Sequence, residues 1–313
     1  MGAFACPQRR LHLVLVALAA LLAAGCVRSH AARTPVAIGV ESQYADVLAQ
    51  VGGPYVTVHA ILNNPNTDPH SFEASPRVAR EVAGASLVVM NGLGYDAWIQ
   101  RIMAAAPNTH RQVIDVRALL GLPRDTVNPH LWYDPRTMPA VAEAAAQAFA
   151  ALDPPHAAYF RARAQRFAAS LEPWKAALAA LRSRYPGTPV AVVEPVANAL
   201  LEAAGWRNLT PLALQLAVMN GTDPAPQDVA TMRALLRRRA VKVLLYNQQV
   251  TGPLTASFLQ LAIAAHIPVV GVYETMPQSG YDYQSWMLAE TRALEAAVAH
   301  GVSTRTLGAE RTR

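Results

Sequence analysis

Apolar residues fall in three patterns along the chain. Residues 11–24 form one apolar run, broken only by His12, behind Arg9 and Arg10. Beyond it, short runs rich in Val, Ile and Leu at 36–40, 55–61, 86–90 and 112–115 alternate with Ala-rich stretches such as 76–83 and 97–105. The alternation returns at 189–194, 241–246 and 268–272, with 197–204, 226–238 and 255–265 between and around these runs. Continuous apolar runs separated by helical stretches predict parallel sheets covered by helices on both faces. The third pattern lies between the two groups. Phe160, Ala164, Phe167, Leu171, Trp174, Leu178 and Leu181 recur at three- and four-residue steps, which is the period of a helix. Thirty helical residues reach roughly 45 Å, and Pro173 either kinks this segment or marks where two helices meet. The fold class expected is α/β. Two halves, 33–150 and 187–313, flank a long helical region at 151–186 that is placed to hold them in fixed relation.

The first run is an address. A positive start followed by about fourteen apolar residues reads as a secretory signal, too short for a comfortable membrane span. It ends in Leu22-Ala23-Ala24-Gly25-Cys26, small residues before a cysteine, as in a bacterial lipobox. On that reading residues 1–25 are removed and Cys26 is lipidated, so the protein is extracytoplasmic, in the periplasm or anchored to the membrane. The alternative is an ordinary signal cut near Ser29-His30-Ala31. The two cysteines, Cys6 and Cys26, both belong to this segment, leaving the body no disulfide and no thiolate ligand. A composition of 52% hydrophobic and 15% charged residues excludes a mainly disordered chain. The net charge of +6 comes without interleaved aromatics or large basic clusters, so no nucleic-acid partner is expected. Arg237-Arg238-Arg239, the densest basic run, reads as a solvated helix face.

The candidate chemistry lies in four residues. His70 follows Asp68-Pro69 and His130 follows Asn128-Pro129, so each imidazole sits on a loop that proline stiffens. Glu194 closes the run 189–194 before Pro195, and Glu274 follows the run that ends at Val272-Tyr273. A charge at the end of an apolar strand is costly unless it is paired or metal-bound, and open α/β sheets bind ligands beyond the carboxyl ends of their strands. Taken singly, a loop histidine is more often a surface residue and a strand-end Glu a salt-bridge partner or helix cap. The repeated Pro-His and the paired strand-end acids favour a joint reading, a metal site across the cleft between the halves. His59, His110, His156, His266 and His300 have no comparable setting.

With these residues in view, the chain resembles the cluster A-I metal-binding solute receptors of bacterial zinc/manganese ABC importers. The resemblance rests on Asp68-Pro69-His70-Ser71-Phe72-Glu73, on 85–95 with its Asn91-Gly92-Leu93-Gly94-Tyr95 and the following Trp98, and on Asn128-Pro129-His130-Leu131-Trp132-Tyr133-Asp134-Pro135. It implies two (β/α) lobes joined by a long rigid linker helix, with one metal ion in the cleft between them. It implies His70 and His130 as the first two ligands and Glu194 as the third. The fourth family position is usually Asp; here the matching place holds Glu274, with Asp282 as the fallback. The long His/Asp-rich loop of zinc-specialised relatives is replaced by the short stretch 121–127.

Two imidazoles and two carboxylates make a mixed nitrogen and oxygen set. Imidazole suits zinc and carboxylates suit harder ions; manganese is favoured over zinc by a small margin, with iron third. The expected role is capture of one divalent cation and delivery to an ABC permease with a cytoplasmic ATPase. It involves no catalytic step, and a monomer is expected. Two other readings use the same site, a secreted metalloenzyme such as a hydrolase and a surface adhesion protein. The sequence contains no HExxH, GxSxG or P-loop to support the first.

Overall fold

The computed structural model describes Gly2 and residues 34–65, 72–277 and 280–308. Residues 3–33 with Cys26, read above as an export signal, and residues 66–71 with His70 lie outside the described residues.

The first lobe runs β1 Val36–Glu41, α1 Ser42–Gly52, β2 Thr57–Leu62, α2 Pro76–Gly84, β3 Leu87–Met90, α3 Ala97–Ala105, β4 Gln112–Asp115 and α4 Val116–Leu119. Three helices follow, α5 Thr137–Leu152, α6 Ala157–Ser170 and α7 Glu172–Arg184. The second lobe runs β5 Pro189–Val192, α8 Asn198–Ala203, β6 Arg207–Asn208, α9 Leu212–Met219, α10 Pro226–Arg237, β7 Val243–Asn247, α11 Pro253–Ala264, β8 Val269–Val272 and α12 Tyr283–His300. Each lobe carries one four-stranded sheet, in the orders β2-β1-β3-β4 and β6-β5-β7-β8, and every pairing is parallel. This is the α/β two-lobe architecture expected from the apolar runs.

Parallel strands need crossover connections, and the helices provide them. The central strands are apolar on both faces because helices cover both. Val88 and Val40 pack with Trp98 and Ile99 of α3, while Val89 and Ala37 enter the larger cluster with α1 and α5. Gly39 is required where α1 crosses β1, since a Cβ there would come 2.1 Å from the Ala45 backbone nitrogen.

The apolar stripe at 160–181 is buried along its whole length, from Phe160 to Leu181. It is carried by two helices in tandem, α6 and α7, which meet at Leu171. Pro173 sets this junction, because it has no N–H to donate and its ring crowds the preceding turn. The stripe packs in one cluster with Val89 of the first sheet and with Val192, Val243 and Val270 of the second. Arg237, Arg238 and Arg239 lie in solvent at the end of α10, as a basic run of that kind should.

Candidate metal centre

Parallel pairing puts the carboxyl ends of a sheet's strands on one edge, and loops from the two edges meet between the lobes. There the segment after α4 delivers His130, which is 1% exposed. Asn128 governs this imidazole. Its Oδ1 accepts the His130 backbone N–H at 3.1 Å and stands 2.7 Å from Nδ1. Its Nδ2 donates to the Pro195 carbonyl at 2.9 Å, across the cleft. With the amide oriented that way, Nδ1 carries the ring proton and Nε2 keeps its lone pair. A metal-ligating histidine is usually held in one tautomer by such a partner. Tyr95 and Trp132 stand edge-on to the ring, with centroids 5.9 and 5.4 Å away. The Asn91 amide also donates to the Pro129 carbonyl at 2.8 Å and so fixes the loop.

The second lobe supplies the acids. Glu194 follows β5 and Glu274 follows β8, and both are buried. Between them β7 ends in Asn247, whose Nδ2 donates to Glu194 Oε2 at 3.1 Å and to Glu274 Oε1 at 2.7 Å. The Gln249 N–H donates to Asn247 Oδ1 at 2.9 Å and fixes which way that amide faces. Gln249 Oε1 in turn accepts the Glu274 N–H at 2.6 Å. The first lobe reaches Glu274 as well. The Tyr95 hydroxyl donates to Glu274 Oε2 at 2.9 Å, and Gln43 Nε2 donates to its carbonyl at 3.1 Å. His130 Nε2 stands 3.5 Å from Glu274 Oε2.

The structure therefore brings His130 and Glu274 together and links Glu194 to Glu274 through Asn247. His70 lies outside the described residues, and among those residues no set of three or more His, Cys, Asp or Glu side chains closes into a metal-holding group. Asp282 is engaged otherwise: its side chain accepts the Ser285 N–H at 2.8 Å and caps α12. Burial pushes the Tyr95 phenol well above its ordinary range, and the charges of Glu274 and then Glu41 push it further. The phenol therefore stays a donor to Glu274. A cavity of about 370 Å³ opens onto this region, lined by Tyr95, Thr126 and Pro129 from one lobe and Leu216, Met219 and Asn220 from the other. A larger one, about 570 Å³, lies apart from this chemistry, between α2 and α3 at Phe72 and Trp98.

Sequence reasoning does not single out Asn128, Asn247, Tyr95 or Gln249 for these tasks. Asn247 leaves a readable trace, a polar residue closing an apolar run, as Glu194 does. Asn128 lies two residues before His130 in the same motif, whereas Tyr95 and Gln249 are joined to the site only by folding.

A family model described as zinc-uptake complex component A, periplasmic (ZnuA), matches residues 41–297. The manganese-binding lipoprotein MntA of Halalkalibacterium halodurans is 26% identical over 167 residues, 50% of this chain and 55% of that protein. The iron-binding protein YfeA of Yersinia pestis is 24% identical over 147 residues, 45% of this chain and 47% of its own length. The chain thus spans about half the length of these curated relatives. Among solved structures, the periplasmic zinc-binding protein TroA of Treponema pallidum superposes with a TM-score of 0.72 at 16% identity, covering 86% of this chain and 99% of that one. That likeness is one of fold.

Proposed function

The chain belongs to the ZnuA family of periplasmic metal-uptake components, and on that premise we propose that it captures one divalent transition-metal ion outside the cytoplasmic membrane and hands it to an ABC permease driven by a cytoplasmic ATPase. The observation that carries the reading is the meeting of His130 from one lobe with Glu274 from the other, both buried, with Nε2 and Oε2 3.5 Å apart. Two acids and an imidazole in a dry cleft are costly to hold together, and a dication offsets that cost. Asn247 keeps Glu194 and Glu274 within reach of one amide, so each needs only a small side-chain turn to face an ion. His70, whose loop follows β2, completes the proposed ligand set of His70, His130, Glu194 and Glu274.

The arrangement suits binding and release without bond-making. Four protein ligands would fill a tetrahedral shell, whereas zinc enzymes keep a position open for water. With two carboxylates the set favours manganese over zinc by a small margin, with iron third, although zinc binds such ligands tightly in vitro whatever the cargo. Lipidation of Cys26 would tether the receptor beside its permease. Among the described residues no helix is long and apolar enough to cross a membrane.

Titration of the metal-free protein with manganese and zinc, in competition with a chromophoric chelator, tests the reading. One ion should bind per chain. His70→Ala and His130→Ala should each lower affinity by about 100-fold or more, since loss of even an outer-shell partner costs about 10–100-fold, while the far-UV spectrum is kept. Wild-type affinity in both variants would remove the site.

A further inference from the structure

The two lobes repeat one topology. In each sheet the strand order reverses between the first and third strands of the lobe, and ligands bind beyond the carboxyl ends at such a reversal. In the second lobe the reversal lies between β5 and β7, which pair through Val192 and Leu245; two residues further on stand Glu194 and Asn247. In the first lobe it lies between β1 and β3, which pair through Gly39 and Val89. Two residues further on stand Glu41 and Asn91. Glu41 holds in the first sheet the position that Glu194 holds in the second, and each has an asparagine at the matching place on the neighbouring strand.

The alternation of side chains agrees with this register. Ala37 of β1, and Val190 and Val192 of β5, enter the core cluster that both lobes share; Ile38 and Val40, like Ala191 and Val193, enter separate clusters. Glu41 and Glu194 have the parity of the first set, so both leave their sheets on the shared side. The residues after Glu41 touch the second lobe directly. Ser42 Oγ accepts the Met276 N–H at 3.0 Å, and Gln43 Nε2 donates to the Glu274 carbonyl at 3.1 Å. The Tyr95 hydroxyl that bonds Glu274 also feels the charge of Glu41.

One difference separates the counterparts. Asn247 donates to Glu194, but Asn91 gives its amide to the Gly92 and Pro129 carbonyls at 3.2 and 2.8 Å and accepts the Tyr44 hydroxyl at 2.6 Å. Glu41 is 0% exposed, and among the described residues neither of its carboxylate oxygens has a hydrogen-bond partner on another residue. It directly precedes α1, yet its side chain makes no cap there. Buried polar groups are almost always hydrogen-bonded, and each exception asks for a reason. Here an acid stands at a ligand-binding edge, and no described side chain offsets the cost of burying its charge.

We infer that Glu41 is a further oxygen ligand of the captured cation, the first-lobe counterpart of Glu194. The inference rests on the metal-receptor reading above and sharpens its selectivity. A third carboxylate expands the oxygen share of the set and favours manganese or iron over zinc.

The test is Glu41→Gln, which keeps shape and removes charge, titrated with manganese and with zinc in competition with a chelator. Manganese affinity should fall at least tenfold, the lower end of what loss of even an outer-shell partner costs, and zinc affinity less. The metal-free melting temperature should hold or rise, because a buried acid has been removed. Manganese affinity within about twofold of wild type, well short of that range, overturns the inference. So does an equal loss for both metals with a lower metal-free melting temperature, the mark of a structural role. His130→Ala, run in parallel, separates the two readings. If it binds both metals as wild type does, the metal site itself fails and this inference with it; if it loses them while Glu41→Gln does not, only the role of Glu41 is withdrawn.

Discussion

Glu290 on α12 shows how burial governs a carboxyl group here. Burial raises its pKa from the ordinary 4.5 to about 8, against the pull of its donors Trp286 and Tyr133. Trp286 Nε1 donates to Oε1 at 3.0 Å, and the Tyr133 hydroxyl lies 3.0 Å from the same oxygen. That hydroxyl also sits 2.9 Å from the Tyr273 carbonyl and accepts the Tyr273 N–H at 3.2 Å. Tyr133 belongs to the turn that follows His130, and Tyr273 adjoins Glu274, so the acid seals the junction behind the site. Between pH 4.5 and about 8 the folded protein keeps this proton while the unfolded chain gives it up. Stability from this group is complete below the lower value and is lost as pH rises through the upper one, by roughly 4–5 kcal/mol. Asp46 and Asp96, each raised to about 6 by burial, add losses of the same sign at lower pH. Glu290→Gln should therefore melt with a weaker decline between about pH 6 and 8 than wild type. Equal slopes in metal-free melts of the two proteins would contradict this protonation state.

At the scale of elements, strand ends carry the proposed ligands and helix caps fix where those ends point. Asp282 and Ser285 form a reciprocal cap on α12, with the Asp282 N–H donating to Ser285 Oγ at 3.0 Å and the Ser285 N–H to Asp282 Oδ1 at 2.8 Å. The Tyr283 N–H is taken by Asp46 Oδ2 of α1 at 3.0 Å. Asp282→Ala should cost about 1 kcal/mol, a fall of about 1.5 °C in melting temperature for a chain of this size. Manganese affinity should not change, because the carboxylate works on the helix and not on the ion; a tenfold loss of affinity would return Asp282 to the ligand set. The central strands are legible in the sequence because each is an apolar run that must be buried on both faces. The edge strand β6 is not, since Arg207 and Asn208 are polar and are ordered by backbone pairing with Pro189 and Val190. Strand-end acids draw attention to Glu194 and Glu274. The same signal stands at Glu41, but the apolar run there stops at Val40, one residue before the strand ends. The bonds that Tyr95 and Asn247 make to Glu274 and Glu194 span 179 and 53 residues. Topology creates such contacts, and no local spacing announces them.

For the whole molecule, the decisive feature is a core that does not stop at the lobe boundary. Ala37 and Val89 of the first sheet, Phe167 and Trp174 of the tandem helices, and Val192, Val243 and Val270 of the second sheet belong to one cluster. Domains move freely when the interface between them is small and polar, and resist motion when it is large and apolar. Polar ties at the cleft add to this. The Tyr283 hydroxyl donates to the Trp132 carbonyl at 2.6 Å, Asn128 bonds Pro195, and Gln43 bonds Glu274. A hinge opening wide enough to expose the site would break these bonds and wet the apolar cluster along α6 and α7. On the proposed reading, capture and release would then come from local turns of Glu194, Glu274 and the His130 loop, with the sheets in place. Small-angle scattering of metal-free and manganese-loaded protein should give superimposable profiles, while melting temperature rises with manganese concentration, as linkage between binding and folding requires. A change in radius of gyration on loading, reversed by chelation, would show instead that the lobes swing apart and that the shared core is not what holds them.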